Sequence, residues 1–200
     1  MFKYGIVAVM SLVLSGSTFN PGSVPFELSK ENSPIMISGT STLHDWTMSL
    51  KIFDCNAHFI LEGSRLKGID GVTFDCRTTD LKSDNSLMDK KAYAALKSST
   101  FPDIKFNMTS AMEISPDNNK FISSMRGKLF IAGKSIPVSI PLNGSLSDIK
   151  GINIIDVSGE IELKMSDFDI TPPTAMLGTL KTGDRITVSF SLQFHQKPVQ

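Results

Sequence analysis

Apolar and polar residues alternate along most of this chain with the period of two that a half-buried β-strand requires. Ile104, Phe106, Met108, Met112 and Ile114 share one parity, while Lys105, Asn107, Thr109 and Glu113 take the other. The same rule gives a strand through Met125, Leu129 and Ile131 and another through Ile136, Val138, Ile140 and Leu142; the turn-type residues Ala132-Gly133-Lys134 between them make the pair a hairpin. Ile155, Val157, Ile161, Leu163 and Met165 define a further strand, and Ile186, Val188, Phe190, Leu192 and Phe194 the last. Upstream, Trp46, Met48, Leu50 and Ile52 hold one parity and Cys55, Ala57, Phe59 and Leu61 the other, which places a bulge or bend near Phe53 and Asp54. Val72, Phe74 and Cys76 form one more strand. Helical spacing is convincing once: Ser86 and Asp89 resemble a capping box, Met88, Ala92, Ala95 and Leu96 line one face, and the helix ends before Pro102. A short second turn is expected over 172–177, with Pro172 early and Gly178 just beyond it.

About eight strands, each with one apolar face, cannot be covered by one short helix, so the sheet must cover itself. A sandwich and a closed antiparallel barrel both do this; the barrel is favoured because closure also removes exposed edges. Pro137 and Pro141 qualify the closure. They lie on one parity and delete two N–H groups from the same lateral side of their strand, so 136–142 should border an edge or an imperfect seam.

The first residues read Met1-Phe2-Lys3, then an apolar run over 6–14, then Ser15-Gly16-Ser17, the plan of a secretory signal. That run is far shorter than the roughly 20 residues of a bilayer span. Residues 1–17 are therefore read as a signal peptide and 18–200 as one domain, periplasmic or secreted. Export makes Cys55 and Cys76, the only two cysteines, candidates for one disulfide; the alternative is two separately buried thiols in neighbouring strands. Twenty Lys plus Arg balance twenty Asp plus Glu, which gives no field for nucleic acid. Phe supplies 13 of the aromatics against 2 Tyr and 1 Trp, with 10 Met beside them, so the apolar faces carry few polar handles.

Candidate chemistry is sparse. His44, His58 and His195 are scattered without metal-ligand spacing, and there is no C-x-x-C pair. His44 beside Asp45 invites a dyad, but neighbours on a strand point to opposite faces. With no G-x-S-x-G elbow, P-loop or G-x-G-x-x-G, the chain is not expected to be an enzyme, and no catalytic residue, metal or cofactor is assigned.

Ser38-Gly39-Thr40-Ser41-Thr42-Leu43-His44-Asp45-Trp46, then Asp80-Leu81-Lys82-Ser83 and the segment from Met88 through Ser98, resemble the YceI-like family. Phe101-Pro102-Asp103-Ile104-Lys105-Phe106, the hairpin from Gly127 through Val138, and Lys164-Met165-Ser166-Asp167-Phe168 continue the resemblance, which spans residues 26 to 195. It implies an exported bacterial protein with a lipocalin-like antiparallel barrel, all-β apart from one short helix, whose apolar lumen in some members holds a polyisoprenoid or another long-chain amphiphile.

Alternation then nominates Trp46, Met48, Phe59, Phe74, Met88, Leu96, Phe106, Met108, Leu129, Val138, Ile140, Leu163 and Phe190 as lumen or lid residues, each of which also fits a packed core. The helix carrying Met88 and Leu96 closes one end on this reading, and the connections around Met176 and Leu177 form a mouth at the same or the other end. Two functions follow. The first is an exported protein that carries or sequesters a long apolar lipid, of polyisoprenoid, isoprenoid quinone or fatty-acyl type, in the lumen. The second is a secreted interaction domain with a filled core that binds a partner through its loops. A lipid-acting enzyme is weaker, since it needs a polar pair deep in the lumen and the parity lists show none. The expected partner is a long-chain apolar small molecule, with neither nucleic acid nor a stable membrane span, and with homodimerisation left open.

Overall fold

The structure is a computed structural model and describes residues 23–63, 65–110, 112–114 and 117–197. The signal peptide expected over 1–17 lies outside the described residues. Alternation is converted into β1 (Ser23–Leu28), β2 (Ile35–Ser41), β3 (Trp46–Leu50), β4 (Asp54–Glu62), β5 (Arg65–Arg77) and β6 (Leu81–Lys82), followed by helix α1 (Ser86–Ala95). After it come β7 (Asp103–Met108), β8 (Met112–Glu113), β9 (Lys120–Ile131), β10 (Lys134–Ile149), β11 (Ile152–Lys164), β12 (Thr174–Ala175) and β13 (Leu180–Gln196).

These segments fall into eight antiparallel lanes, because β1 with β2, β3 with β4, β5 with β6 and β7 with β8 are each one interrupted strand. The ring closes where β13 pairs with β1 through Phe26–Gln196 and Leu28–Phe194. The expected bend falls at 51–53, between β3 and β4, and it turns Phe53 into the core. The strand read through Ile104 to Ile114 is divided into β7 and β8, which pair with separate stretches of β5.

The barrel differs between its two ends. At one, Phe26, Phe59 and Phe194 stack edge to face, with centroids 4.9 and 5.5 Å apart around Phe59. Buried Leu66, Ile69, Phe121, Leu142 and Ile155 complete a solid floor there. Toward the other end the wall carries the interruption that the prolines foretell. β10 pairs with β9 from its first residue, but its ladder with β11 starts only at Leu142–Gly159. Pro137 and Pro141 border this unpaired stretch. The chain beyond β11 packs there instead, through the short 3₁₀ turn Met165–Phe168 and buried Phe168 and Ile170. A bulge in β13 between Thr182 and Ile186 brings Asp184 to that turn, where it accepts from Ser166 N at 2.8 Å and Oγ at 2.6 Å. Lys134 pairs with Asp169 at 2.9 Å from the other side.

Helix α1 starts one residue earlier than the capping-box reading puts it. Asn85 is the cap, its side-chain oxygen accepting from Leu87 N and Met88 N, while Asp89 is buried and accepts from Ser83 N and Oγ at 2.8 and 2.7 Å. The helix closes with Ser98 N bonded to Tyr93 O and Lys97 N to Ala94 O, with Lys97 at φ 54° in the left-handed position. The turn expected over 172–177 forms later than expected, as a short 3₁₀ turn over Met176–Gly178, and the residues before it are extended. Pro173 forces its predecessor toward extended backbone, β12 pairs with Lys181 and Leu180, and Leu177 has φ 55° at the tip of the resulting hairpin.

Candidate functional site

Above the aromatic floor the barrel holds a cavity of about 480 Å³, in the size range of small-molecule sites. Each lane contributes its inward parity: Ile35 and Ile37 from β2, Trp46, Met48 and Leu50 from β3, Phe74 and Cys76 from β5, and Phe190 and Leu192 from β13. Helix α1 lies across this end with Met88, Ala92, Ala95 and Leu96 toward the cavity. The β12–β13 hairpin with Leu177 at its tip stands at the same end, since Lys91 of α1 donates to Thr174 O at 2.6 Å and Thr42 N bonds Lys181 O. Lid and mouth are therefore together, and Leu43, Leu87 and Leu177 are exposed around them.

Of the lumen residues nominated from alternation, Trp46, Met48, Phe74, Met88, Leu96, Phe106, Leu129, Ile140, Leu163 and Phe190 line the cavity. Phe59, Met108 and Val138 do not. Phe59, 1% exposed, belongs to the floor. Val138 pairs with Gly127, and the Phe106 ring lies over that glycine, where a Cβ would come within 2.2 Å of Cζ, so Val138 sits beside the ring and packs into the wall. Met108, partly buried next to the same Gly127, packs against the main core. Parity selects a face of a strand, but it says nothing of height along the barrel. Phe168 and Ile170 line the cavity from outside any strand, and no periodic signal points to them.

The resemblance-bearing segment around Trp46 has a structural job. Ser41 Oγ accepts from Leu43 N and His44 N and donates to His44 O at 2.7 Å, and Trp46 Nε1 donates to Thr40 O at 3.1 Å, which lays the indole over Gly39. His44 meets the carbonyl of Asp45 at 2.7 Å through Nδ1.

Cys55 and Cys76 are free, buried thiols on the cavity wall. Cys55 lies opposite Phe74 in the β4–β5 ladder, so Cys76 is its diagonal neighbour, at a spacing of ~7–8 Å that exceeds the Cα reach of a disulfide. Burial pushes both thiols up to about 12, with Asp75, Asp80 and Asp103 adding to the effect at Cys76.

The fold and site define a closed eight-lane barrel with a solid floor and one apolar chamber under a helical lid. The chain matches the YceI-like domain over residues 26–194 and belongs to the YceI-like family. Among solved structures it is similar to BcnA of Burkholderia cenocepacia, with TM-score 0.62 and 16% identity over 84% of this chain and 99% of that one. A polyisoprenoid-binding domain from Saccharophagus degradans gives TM-score 0.62 at 10% identity, over 88% of this chain and 99% of that one. The YceI protein of Campylobacter jejuni gives 0.59 at 16% identity, over 99% and 100%. At these identities the likeness is one of fold. A search of curated protein sequences returns no significant match.

Proposed function

We propose that this protein is an exported binder of a long-chain apolar lipid, which it sequesters or carries in the barrel chamber. The observation that carries the reading is the 480 Å³ cavity, walled by aliphatic, aromatic and Met side chains and sealed below by Phe26, Phe59 and Phe194. Such a chamber rewards each buried methylene by about 0.8 kcal/mol and offers few groups to a sugar or nucleotide. The polyisoprenoid-binding domain among its structural neighbours supports the same ligand class. At the ~30 Å³ that a water-sized group occupies in a liquid, the chamber seats about sixteen heavy atoms, so a fatty-acyl tail fits whole and a longer isoprenoid projects from the mouth. The apolar run over 6–14 supports export to the periplasm.

Native mass spectrometry of protein purified from its own compartment, before and after denaturing extraction, tests this. Extra mass that extracts as a long-chain lipid, on a chain that has lost residues 1–17, is the expected result. A bare polypeptide that takes up neither fatty acids nor isoprenoid quinones would support the loop-binding interaction domain instead.

A further inference from the structure

We infer that the mouth of the chamber is a docking surface for a phospholipid bilayer, which the protein touches mouth first while its cargo crosses. The inference rests on the lipid-binding reading above for its purpose, and it adds the surface at which loading takes place. Three segments border the mouth: the β2–β3 turn through His44, the start of α1 through Leu87, and the β12–β13 hairpin through Thr174 and Lys181, all of which contribute to the cavity lining. The bond from Thr42 N to Lys181 O and that from Lys91 to Thr174 O draw them together. Each segment carries one large apolar side chain turned to solvent: Leu43 at 67% exposure, Leu87 at 62% and Leu177 wholly exposed. Leu177 is unfavourable twice over, since its φ of 55° is one that a leucine rarely takes and its side chain gains no burial. Glycine would hold the same turn in water without either penalty.

The composition of this collar fits a bilayer better than a protein partner. Protein interfaces are anchored by Trp, Tyr and Arg and are poor in Leu; surfaces that lie on membranes set Leu, Phe or Trp beside Lys or Arg. Here Lys90 and Lys91 follow Leu87 by three and four residues on one side of α1, and Lys181 adjoins Thr42, the neighbour of Leu43. Against these three cations the segments expose two carboxylates, Asp45 and Asp84, while Asp89 is buried on Ser83. The surplus is small, so burial of the leucines carries the contact and the phosphates of anionic lipid add to it. Lysine stems are long enough to leave their ammonium groups among the phosphates while the leucines pass into the acyl boundary. The collar is also continuous with the chamber, because Leu87 belongs to both, and a lipid tail therefore moves from bilayer to lumen without crossing water. Among the described residues the exposed isoleucines have no such setting. Ile149 and Ile152 face each other across the β10–β11 turn at the closed end, and Ile52 and Ile122 stand singly on the wall, where a lone apolar side chain is ordinary.

The test is flotation of the full chain, purified from its own compartment, with phosphatidylcholine vesicles that contain or lack phosphatidylglycerol. Wild type is expected to float with both, more strongly where phosphatidylglycerol is present, and to lose part of that gain in added salt. Leu43→Ser/Leu177→Asn removes two leucines that do not line the cavity, and Asn accepts the left-handed position, so fold and chamber are kept. Its vesicle partition should fall by about tenfold, whereas that of Ile149→Ser/Ile152→Ser, altered at the closed end, should stay within about twofold of wild type. A wild type that leaves the vesicles unbound, a leucine variant that floats like wild type, or an isoleucine variant that falls as far overturns the docking surface. So does a wild-type dimer in lipid-free sedimentation that the leucine variant dissociates, since the collar then belongs to a second copy. Native mass spectrometry of the same preparations separates the two readings. Lipid uptake by a protein that ignores vesicles leaves the chamber standing without its docking face; vesicle binding by a chain that never takes up lipid keeps the face and removes the chamber reading.

Discussion

Cys55 and Cys76 illustrate how much one side chain's setting controls its chemistry. Both thiols are buried in the wall and held near pKa 12 mainly by desolvation, so the thiolate that an alkylating reagent needs is scarce at pH 8. Native protein should therefore react with iodoacetamide far more slowly than protein in denaturant, and intact mass after unfolding should show two alkylated thiols. Recovery of a bridged, unalkylated chain would contradict the diagonal register. Asp89 makes the opposite case. The Ser83 hydroxyl, with the Ser83 N–H and Lys82 adding, holds its carboxyl below the ordinary value near 3.8. A depressed folded pKa confers stability that is present above the unfolded value and lost as pH falls through the folded one. Asp89→Asn should lower the denaturant midpoint at pH 7, with a cost of about 1 kcal/mol, and show a shallower loss than wild type when both are titrated below about pH 4.

At the scale of elements, aromatic rings of one lane lie on glycines of the next. A Cβ at Gly159 would come within 2.5 Å of Phe190 Cζ and 2.6 Å of Pro141 O; the ring has somewhere to go and the backbone oxygen does not. Gly159→Ala should cost about 1–3 kcal/mol in urea unfolding. Gly71→Ala on β5, where a Cβ meets nothing within 4 Å, should stay within about 0.5 kcal/mol of wild type. This scale is also where the sequence is most readable. Alternation finds the long strands, the switch of parity finds the bend at Phe53, and Ala132-Gly133 forms its two-residue hairpin turn with both φ angles positive, 52° and 87°. What alternation misses has local causes. Asn85 outcompetes Ser86 for the helix cap, and Pro172-Pro173 stiffens a segment whose composition suggests a helix end. The paired bulges of β5 opposite His58–Phe59 and Ile60–Leu61 fall at Asp70-Gly71 and Lys67-Gly68, glycine signals that a reading by alternation passes over.

For the whole molecule the decisive quantity is how far up the barrel the filling reaches, which no pattern of parities contains. Phe59 and Phe74 look alike in sequence, on facing strands with the same alternation; one is floor and the other is chamber wall. Phe59→Ala should lower stability by about 3–5 kcal/mol and lengthen by a few carbons the longest fatty acid that the chamber takes up, as read by native mass spectrometry. An unchanged chain-length limit would show that the floor lies elsewhere.

The seam beside Pro137 and Pro141 gives the wall a mechanical asymmetry. From Leu142–Gly159 downward β10 and β11 are laced by backbone hydrogen bonds, whereas above that pair their line of the wall is closed only by side chains. Amide protons over 134–141 and 160–164 should exchange with deuterium sooner than those over 142–146 and 154–158, and a bulky tail in the chamber should change the upper set alone. Along this line the collar can spread around a thicker occupant without breaking a rung of the ladder.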